Sequence, residues 1–455
     1  MSGPDVDVVV AGAGGAGLAA ALAARQRGAS VVVLEHRVSF REGCNTAMST
    51  AMVPAGGSRW QAEAGIVDSP AQFLADVMAK TKGTANPQVA NALTTVAPEL
   101  VAWMADHLGV PLAIVTDFHY PGHCVDRCHT VPDRAGRTLH GHLLADAQSA
   151  GIEVVTPAHL VSVEVDSAGA VGGATWSFPD GATESVRTAN VVLAAGGFGA
   201  NAERVARHLP EISGAWHFGS DGNTGDALRI GDALGADMGW LDAYQGHGSV
   251  ATPHGVLVTW ATVMHGGVIV NMLGDRFDDE TSGYSEFARR VLDQPGGEAW
   301  VVFDARIDAA CRSFKDHQDL AASGAIRTAD SIDELAATTG LSAPALVSTL
   351  ADAAASANHA RPDGFGRTAW EAPLAAPYAA VKVTGALFHT QGGLLVDGTA
   401  RVLRAGAPVT GLFAAGGSAC GMSGHGANGY LAGNGLLAAL GLGYLAGRAV
   451  RTTVQ

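Results

Sequence analysis

Hydrophobic positions dictate how the first forty residues read. Val6, Val8, Val9 and Val10, interrupted only by Asp7, form an apolar run that predicts a strand buried in a parallel sheet. The run breaks into Gly12-Ala13-Gly14-Gly15-Ala16-Gly17; residues 18–24 have helical composition, and residues 30–34 predict a second strand that ends at Glu35. Farther on, residues 69 to about 108 carry one helical periodicity, with Pro70 in a first-turn position and Trp103 and Met104 on the core face. A helix over 138–150, a strand over 153–155 and the pair 160–165 and 174–176 predict an antiparallel excursion, and a buried strand over 190–193 runs into Ala194-Ala195-Gly196-Gly197-Phe198. After Thr224-Gly225-Asp226 and a helix over 227–234, the pattern shifts at about residue 239 to short strands, among them 256–258 and 267–270. An alanine-rich helical region spans 330 to about 357, a strand spans 394–396, and an apolar helix over 435–449 follows the glycines of 411–417.

Strand, glycines, helix, strand and acid in that order make a βαβ unit for a dinucleotide. Gly12 allows the tight turn, Gly14 lets backbone approach a pyrophosphate, Gly17 lets helix and strand pack closely, and the helix N-terminus offers free N–H groups to phosphate. Glu35 is placed to accept from ribose hydroxyls, which favours FAD or NAD over NADP. The fold class expected is α/β, with a Rossmann-like cofactor domain. The small-residue turns Gly43-Cys44-Asn45-Thr46 and Ala55-Gly56-Gly57-Ser58-Arg59 suit a close pass beneath a flat ring system.

Composition narrows the classes. At 455 residues and 47% hydrophobic content the chain can bury a large core and suggests two or three domains. A formal charge of −15 argues against an extended basic surface for nucleic acid or anionic membrane. The N-terminus enters the first strand with no room for a signal peptide, which leads to the expectation of a cytoplasmic protein, and the apolar helix over 435–449 is too short to span a bilayer comfortably. Five cysteines without a CxxC pair make a disulfide framework improbable. His123-Cys124-Val125-Asp126-Arg127-Cys128-His129 matches no common zinc spacing, so buried thiols and hydrogen-bonded histidines are expected there and no metal.

Those residues together resemble the flavoproteins grouped with fumarate reductase and succinate dehydrogenase, which include the ketosteroid dehydrogenases. The resemblance covers nearly the whole chain and rests on the glycine-rich start with Glu35, residues 43–46, Ala195-Gly196-Gly197-Phe198, Thr224-Gly225-Asp226, His389-Thr390-Gln391-Gly392-Gly393 and residues 411–417. It implies FAD as cofactor, a Rossmann-like FAD-binding domain assembled from residues 1–238 and 387–455, and an inserted α+β capping domain at 239–386. The cofactor-binding set it implies comprises Gly12, Gly14, Gly15, Ala16, Gly17, Glu35, His36, Cys44, Asn45, Thr46, Gly56, Gly57, Ala195, Gly196, Gly197, Thr224, Asp226, Gly416, Gly417, Gly433, Asn434 and Leu436. Gly417 departs from the family, many members of which have a glutamate there.

Fumarate reductases hold a dicarboxylate with arginines, since a guanidinium meets a carboxylate bidentately. In the run Arg276-Phe277-Asp278-Asp279-Glu280-Thr281-Ser282-Gly283-Tyr284 the place of the proton-donating arginine falls at Tyr284, the family's upstream relay Glu and Arg fall at Trp260 and Val263, and the C-terminal motif reads His425-Gly426-Ala427-Asn428-Gly429-Tyr430. A pair of tyrosines in these places resembles the ketosteroid dehydrogenases. That resemblance implies α,β-desaturation of a ketone: Tyr430, with a backbone N–H near Gly433 or Asn434, polarises the carbonyl, Tyr284 takes the α-proton, and the β-hydrogen leaves as hydride to flavin N5. Tyr120, in the ring-rich loop 118–123, is a candidate second phenol, and His389 matches the family's substrate histidine; for His247 a core or surface role is the expectation. The expected partners are a small-molecule substrate and an electron acceptor that is oxygen, a quinone or a redox protein. The rival reading is a carboxylate oxidoreductase, reducing an enoate or oxidising a tricarboxylate, in which Arg127 or Arg134 supplies the missing guanidinium; Arg59 and Arg134 also suit a solvated surface. A flavin-binding protein without turnover is the third alternative.

Overall fold

Valines without a polar face belong in the middle of a sheet, and the strand Val6–Ala11 stands there. The computed structural model describes residues 5–117 and 119–452; Phe118, in the ring-rich loop, lies outside the described residues. Val6–Ala11 pairs in parallel with Val31–Leu34 on one side and Thr183–Leu193 on the other, and the sheet extends in parallel to Glu153–Val155 and to Ala407–Ala414. The chain leaves the first strand toward one flank and returns on the other, so the sheet has a topological switch point at the carboxyl ends of Val6–Ala11 and Thr183–Leu193. The helix Gly15–Gln26 and the C-terminal helix Asn434–Ala449 cover it. They touch through small residues: a Cβ on Gly443 would lie 2.3 Å from the Ala16 carbonyl oxygen, and one on Gly447 2.3 Å from that of Ala20.

The chain divides into two compact units. The first comprises residues 1–210, 219–244 and 389–455; the second comprises 211–218 and 245–388. The short piece 211–218 belongs to the second because Trp216 and His217 pair in parallel with Ala386 and Leu387. The second unit is built on a seven-stranded sheet whose longest strand, Tyr378–Thr390, pairs antiparallel with Glu298–Asp304, which pairs in turn with Val268–Asn271. Helices Ile332–Thr339 and Ala343–Ala357 bury Leu335, Leu346 and Leu350 against Val268, Val270 and Trp300.

Several elements depart from their sequence pattern. The run 69–108 is two helices, Pro70–Lys80 and Pro87–Leu108, each capped by its own side chain: Ser69 accepts from Gln72 N–H, and Asn86 from Gln88 and Val89 N–H. The break falls where Lys82 (φ 51°) and Gly83 (φ 77°) turn left-handed, which a periodicity count passes over. The alanine-rich region likewise splits at Gly340, which ends the first helix in the left-handed conformation. Among the described residues no helix is long and apolar enough to cross a membrane.

Candidate cofactor and carbonyl sites

Gly12 and Gly17 sit where the backbone leaves no room for a side chain. Gly12 has φ 108° and sits against the neighbouring strand, where a Cβ would be 2.3 Å from the Ala194 carbonyl oxygen. Gly17 admits no side chain at all, since a Cβ would lie 1.8 Å from the Gly12 carbonyl oxygen. Above Gly14 the space is open, and this N-cap offers no side-chain acceptor to its 12-residue helix, whose first turn holds no acid. An open, uncapped helix N-terminus of this kind suits a phosphate. Glu35 Oε2 accepts from Ala13 N–H at 2.9 Å and Oε1 from Arg37 N–H at 2.8 Å, which fixes the carboxylate while each oxygen keeps a lone pair. His140, not anticipated from sequence, holds the same loop: its Nε2 lies 2.8 Å from the Ala13 carbonyl oxygen, and burial lowers its pKa, so it donates as a neutral imidazole.

Other residues of the expected set close around this loop. Thr46 Oγ1 accepts from Gly15 N–H at 3.0 Å, Asn45 Oδ1 accepts from Ser220 N–H at 2.7 Å, and burial pushes the Cys44 thiol up to about 11. Asp226 pairs with His159 at 3.0 Å, His159 lies 5.8 Å from His36 ring to ring, and Thr224 is exposed with its hydroxyl on Asp226. Gly196 and Gly197 approach Asn223 and Thr390, at 2.0 Å and 2.1 Å from a Cβ, with Ala195 half-buried before them. Gly416 has φ 61°, and a Cβ on Gly417 would stand 2.6 Å from Gly197 N, so backbone fills the space that a glutamate would need. A Cβ on Gly56 would lie 2.6 Å from the Ser69 carbonyl oxygen, and Gly57, which donates to Gln61 Oε1 at 2.7 Å, has φ 84°, so both positions call for glycine whatever lies above them. The C-terminal helix starts after Gly433 (φ 82°); Leu436 packs against the core, and Asn434, fully buried, leaves Oδ1 without a hydrogen-bond partner among the described residues. An orphaned buried acceptor is what a bound group with N–H or O–H donors would satisfy.

Next to it lies a compact polar cluster. Tyr430 is buried, and its Oη accepts from Gly435 N–H at 3.3 Å, at the positive end of the C-terminal helix. The amide is thus one residue beyond the pair named from sequence. Burial raises the Tyr430 pKa far above that of a free phenol, so the hydroxyl stays protonated and serves as a donor. The His389 ring stands edge-on to Tyr430 with centroids 5.9 Å apart. A Cβ on Gly435 would be 2.7 Å from His389 Nε2 and 3.2 Å from Tyr430 Oη, so both polar atoms look at one small space beside Gly435. Gln391, which sequence reasoning quoted only as part of a motif, lies against the His389 ring, its Nε2 2.9 Å from Nδ1 and 3.4 Å from Nε2. Its position two residues on, across a strand end, is the signal that could have found it. Tyr120 is half-buried in its loop, where its carbonyl accepts from His123 N–H at 3.4 Å.

In the second unit Tyr284 opens the helix Tyr284–Leu292, directly after Gly283 at φ 143°. Four rings stack in a row: Phe218 on Phe388 at 5.0 Å, Phe388 on His247 at 5.1 Å, and His247 on Tyr284 at 5.0 Å, with Trp260 edge-on to His247. His247 is therefore a core residue of this unit, and burial alone lowers its pKa to about 3.

The arginines offered for a carboxylate are already engaged. Arg127 is fully buried, bonded to Asp68 at 2.9 Å and Asp76 at 2.7 Å and stacked on Phe73. Arg134 meets Asp117 at 2.7 Å and Arg59 meets Asp106 at 2.6 Å. His123 Nε2 lies 3.2 Å from the Ala432 carbonyl oxygen; burial and the Arg127 charge lower its pKa to about 3, and burial lowers that of His129 to about 4. Among the described residues no group of three or more His, Cys, Asp or Glu is placed to hold a metal ion.

A doubly connected parallel sheet, a glycine cradle at its switch point and a second unit inserted between the cofactor-binding segments define a flavin-dependent oxidoreductase. The chain belongs to the family described as "FAD binding domain", which matches residues 7–436, and its cofactor is FAD. It is 30% identical to the fumarate reductase (cytochrome) of Shewanella frigidimarina over 446 residues, 97% of this chain and 76% of that protein. It is 29% identical to the NADH:fumarate oxidoreductase of Klebsiella pneumoniae over 97% of its own length, and spans about half, 47%, of that protein. The 4-oxocyclohexanecarboxylate 2-dehydrogenase of Sinomonas cyclohexanicum is 28% identical, with 98% of this chain and 92% of that one covered. Among solved structures, the open conformation of a flavocytochrome c3 fumarate reductase superposes with a TM-score of 0.81 at 28% identity, covering 98% of this chain and 78% of that one. The 3-ketosteroid-Δ4-(5α)-dehydrogenase of Rhodococcus jostii superposes at 0.76 with 26% identity, covering 98% and 96%.

Proposed function

We propose that this chain is a dehydrogenase that introduces a C=C bond α,β to a ketone, a 3-ketosteroid or a smaller cyclic ketone such as an oxocyclohexane. The observation that carries the reading is that the polar atoms beside Gly435 are a protonated phenol and an imidazole, whereas Arg59, Arg127 and Arg134 are each engaged by a carboxylate of the chain itself. Neutral donors suit a ketone oxygen and do not offset the charge of a dicarboxylate. The names of two relatives, the oxocyclohexanecarboxylate and ketosteroid dehydrogenases, agree with it.

FAD, held by the glycine loop, Glu35, residues 44–46, 195–197 and 416–417 and the start of the C-terminal helix, supplies two-electron acceptance when bound. The rest is work for side chains. Tyr430 donates to the carbonyl oxygen and stabilises enolate character as the α-proton departs. Tyr284, at the start of its helix, takes that proton. The buried stack of His247, Phe388 and Phe218 leaves this phenol little freedom.

The rival, a carboxylate oxidoreductase, draws on the fumarate reductases among the relatives. Anaerobic mixing of the oxidised holoprotein with saturated ketones, from cyclohexanones to 3-ketosteroids, separates the two through the visible absorbance of the flavin. Bleaching by a ketone that is lost in Tyr284→Phe is the expected result. Bleaching by succinate or tricarballylate alone would overturn the reading.

A further inference from the structure

We propose that His140 is a positioning residue of the dinucleotide loop: by holding the Ala13 carbonyl it turns the next amide, Gly14 N–H, outward as a donor to the pyrophosphate of FAD. This role in keeping the cofactor is independent of the substrate.

Gly14 stands apart from its neighbours in the loop. Gly12 N–H donates to the Leu34 carbonyl oxygen at 2.7 Å, Ala13 N–H to Glu35 Oε2 at 2.9 Å and Gly15 N–H to Thr46 Oγ1 at 3.0 Å. Gly14 N–H has no partner among the described residues, which leaves a main-chain donor for an acceptor from outside the chain. Neither strain nor packing asks for glycine at this position: φ −75° and ψ −178° are open to any residue, and a Cβ would meet nothing within 4 Å. The space is kept for a group that the chain does not supply. The direction of the amide is set one bond earlier. The peptide between Ala13 and Gly14 is trans, so the Ala13 carbonyl and the Gly14 N–H point to opposite sides of one plane. Ala13 is fully buried, and its carbonyl oxygen lies 2.8 Å from His140 Nε2. A carbonyl oxygen only accepts, so Nε2 carries the hydrogen; the carbonyl faces His140 and Gly14 N–H faces away from it. His140 is itself buried on the helix Gly136–Ser149, edge-on to Phe40 with ring centroids 5.9 Å apart. With Glu35 on its N–H and His140 on its carbonyl, Ala13 is tied at both polar groups from outside the loop.

Release of FAD on dilution of the holoprotein, followed by flavin fluorescence, gives the affinity, and phosphorus NMR of the bound cofactor reports the pyrophosphate without any substrate. Two variants differ by one methylene: the side-chain nitrogen of His140→Gln reaches the place of the imidazole Nε2 and can donate to Ala13, whereas that of His140→Asn stops short of it. His140→Gln is expected to hold FAD within about threefold of the wild type, and His140→Asn and His140→Leu to hold it about 10- to 100-fold more weakly, the weight of one hydrogen bond to a charged group, with a displaced pyrophosphate resonance in these two alone. A role confined to filling space predicts the reverse, that His140→Leu keeps its FAD and His140→Gln loses it. Should His140→Leu not fold, the other pair still decides. His140→Gln binding FAD no better than His140→Asn overturns the inference, as does a His140→Asn or His140→Leu holoprotein with wild-type affinity and phosphorus shifts.

Discussion

Gly435 lies against both the His389 and the Tyr430 rings, so one methyl group there tests the proposed carbonyl site more sharply than removal of either ring. In Gly435→Ala the new carbon would meet His389 at 2.7 Å, and the ring must turn away from Tyr430. Overpacking of this kind costs about 1–3 kcal/mol, and rapid-reaction flavin bleaching of the FAD-loaded protein should slow more than tenfold, on the order of the loss of one aligned donor. Arg127 makes a different prediction. Its guanidinium neutralises two carboxylates in a dry site, and Arg127→Met strands both; denaturant unfolding should show a loss of about 3–5 kcal/mol. Were Arg127 instead the carboxylate-binding residue of the rival reading, the same variant would lose dicarboxylate affinity and little stability.

Among the elements, the helix after the glycine loop and the C-terminal helix depend on each other, because Gly443 and Gly447 of one lie against Ala16 and Ala20 of the other. Gly447→Val drives methyl groups onto Ala20 and Ala23, and the expected outcome is lowered FAD retention on gel filtration together with a lower melting temperature. These elements were legible in the chain, since valine runs, glycine spacing and an all-apolar helix are local patterns. The strand Tyr244–Ala251 was not. All eight of its residues are buried, so it shows no alternation, and Gly246 and Gly248 read as turn residues although they are there because Ala288 and Phe287 press on them. The same holds for the site. Tyr430, Tyr284 and His389 were visible as motif positions, whereas the contact of His140 with Ala13 and the commitment of Arg127 to Asp68 and Asp76 depend on partners far away in sequence.

Taken whole, the molecule carries several histidines that must stay neutral to fold. His123 and His247 titrate at about 3 and His129 at about 4 in the native state, all in buried surroundings. In the unfolded chain each titrates near 6.5, so between those values the unfolded state holds more protons and acid favours it. The stabilisation is complete above about pH 7 and declines as pH falls through 6.5 and below, by up to about 1.4 kcal/mol per pH unit for each ring. Melting temperatures of the holoprotein at pH 7.5, 6.5 and 5.5 should fall in that order, and a flat profile would mean that these rings are not buried as neutral bases. Because they lie in both compact units, the acid sensitivity is not confined to one of them.

The tight approach of Gly417 to Gly197 also limits how this chain can change. Glutamate cannot be introduced at 417 by a single tolerated step, because its Cβ would lie 2.6 Å from a backbone nitrogen and that nitrogen sits in a glycine pair already pressed against Asn223 and Thr390. Gly417→Glu alone should therefore fail in a selection for FAD-loaded protein. Paired with compensating changes at Asn223 or Thr390, which free residues 196–197 to retreat, it should survive. The effect of one substitution then takes its sign from the background it enters, and a library that varies position 417 by itself would report as forbidden a residue that is only reachable by another route.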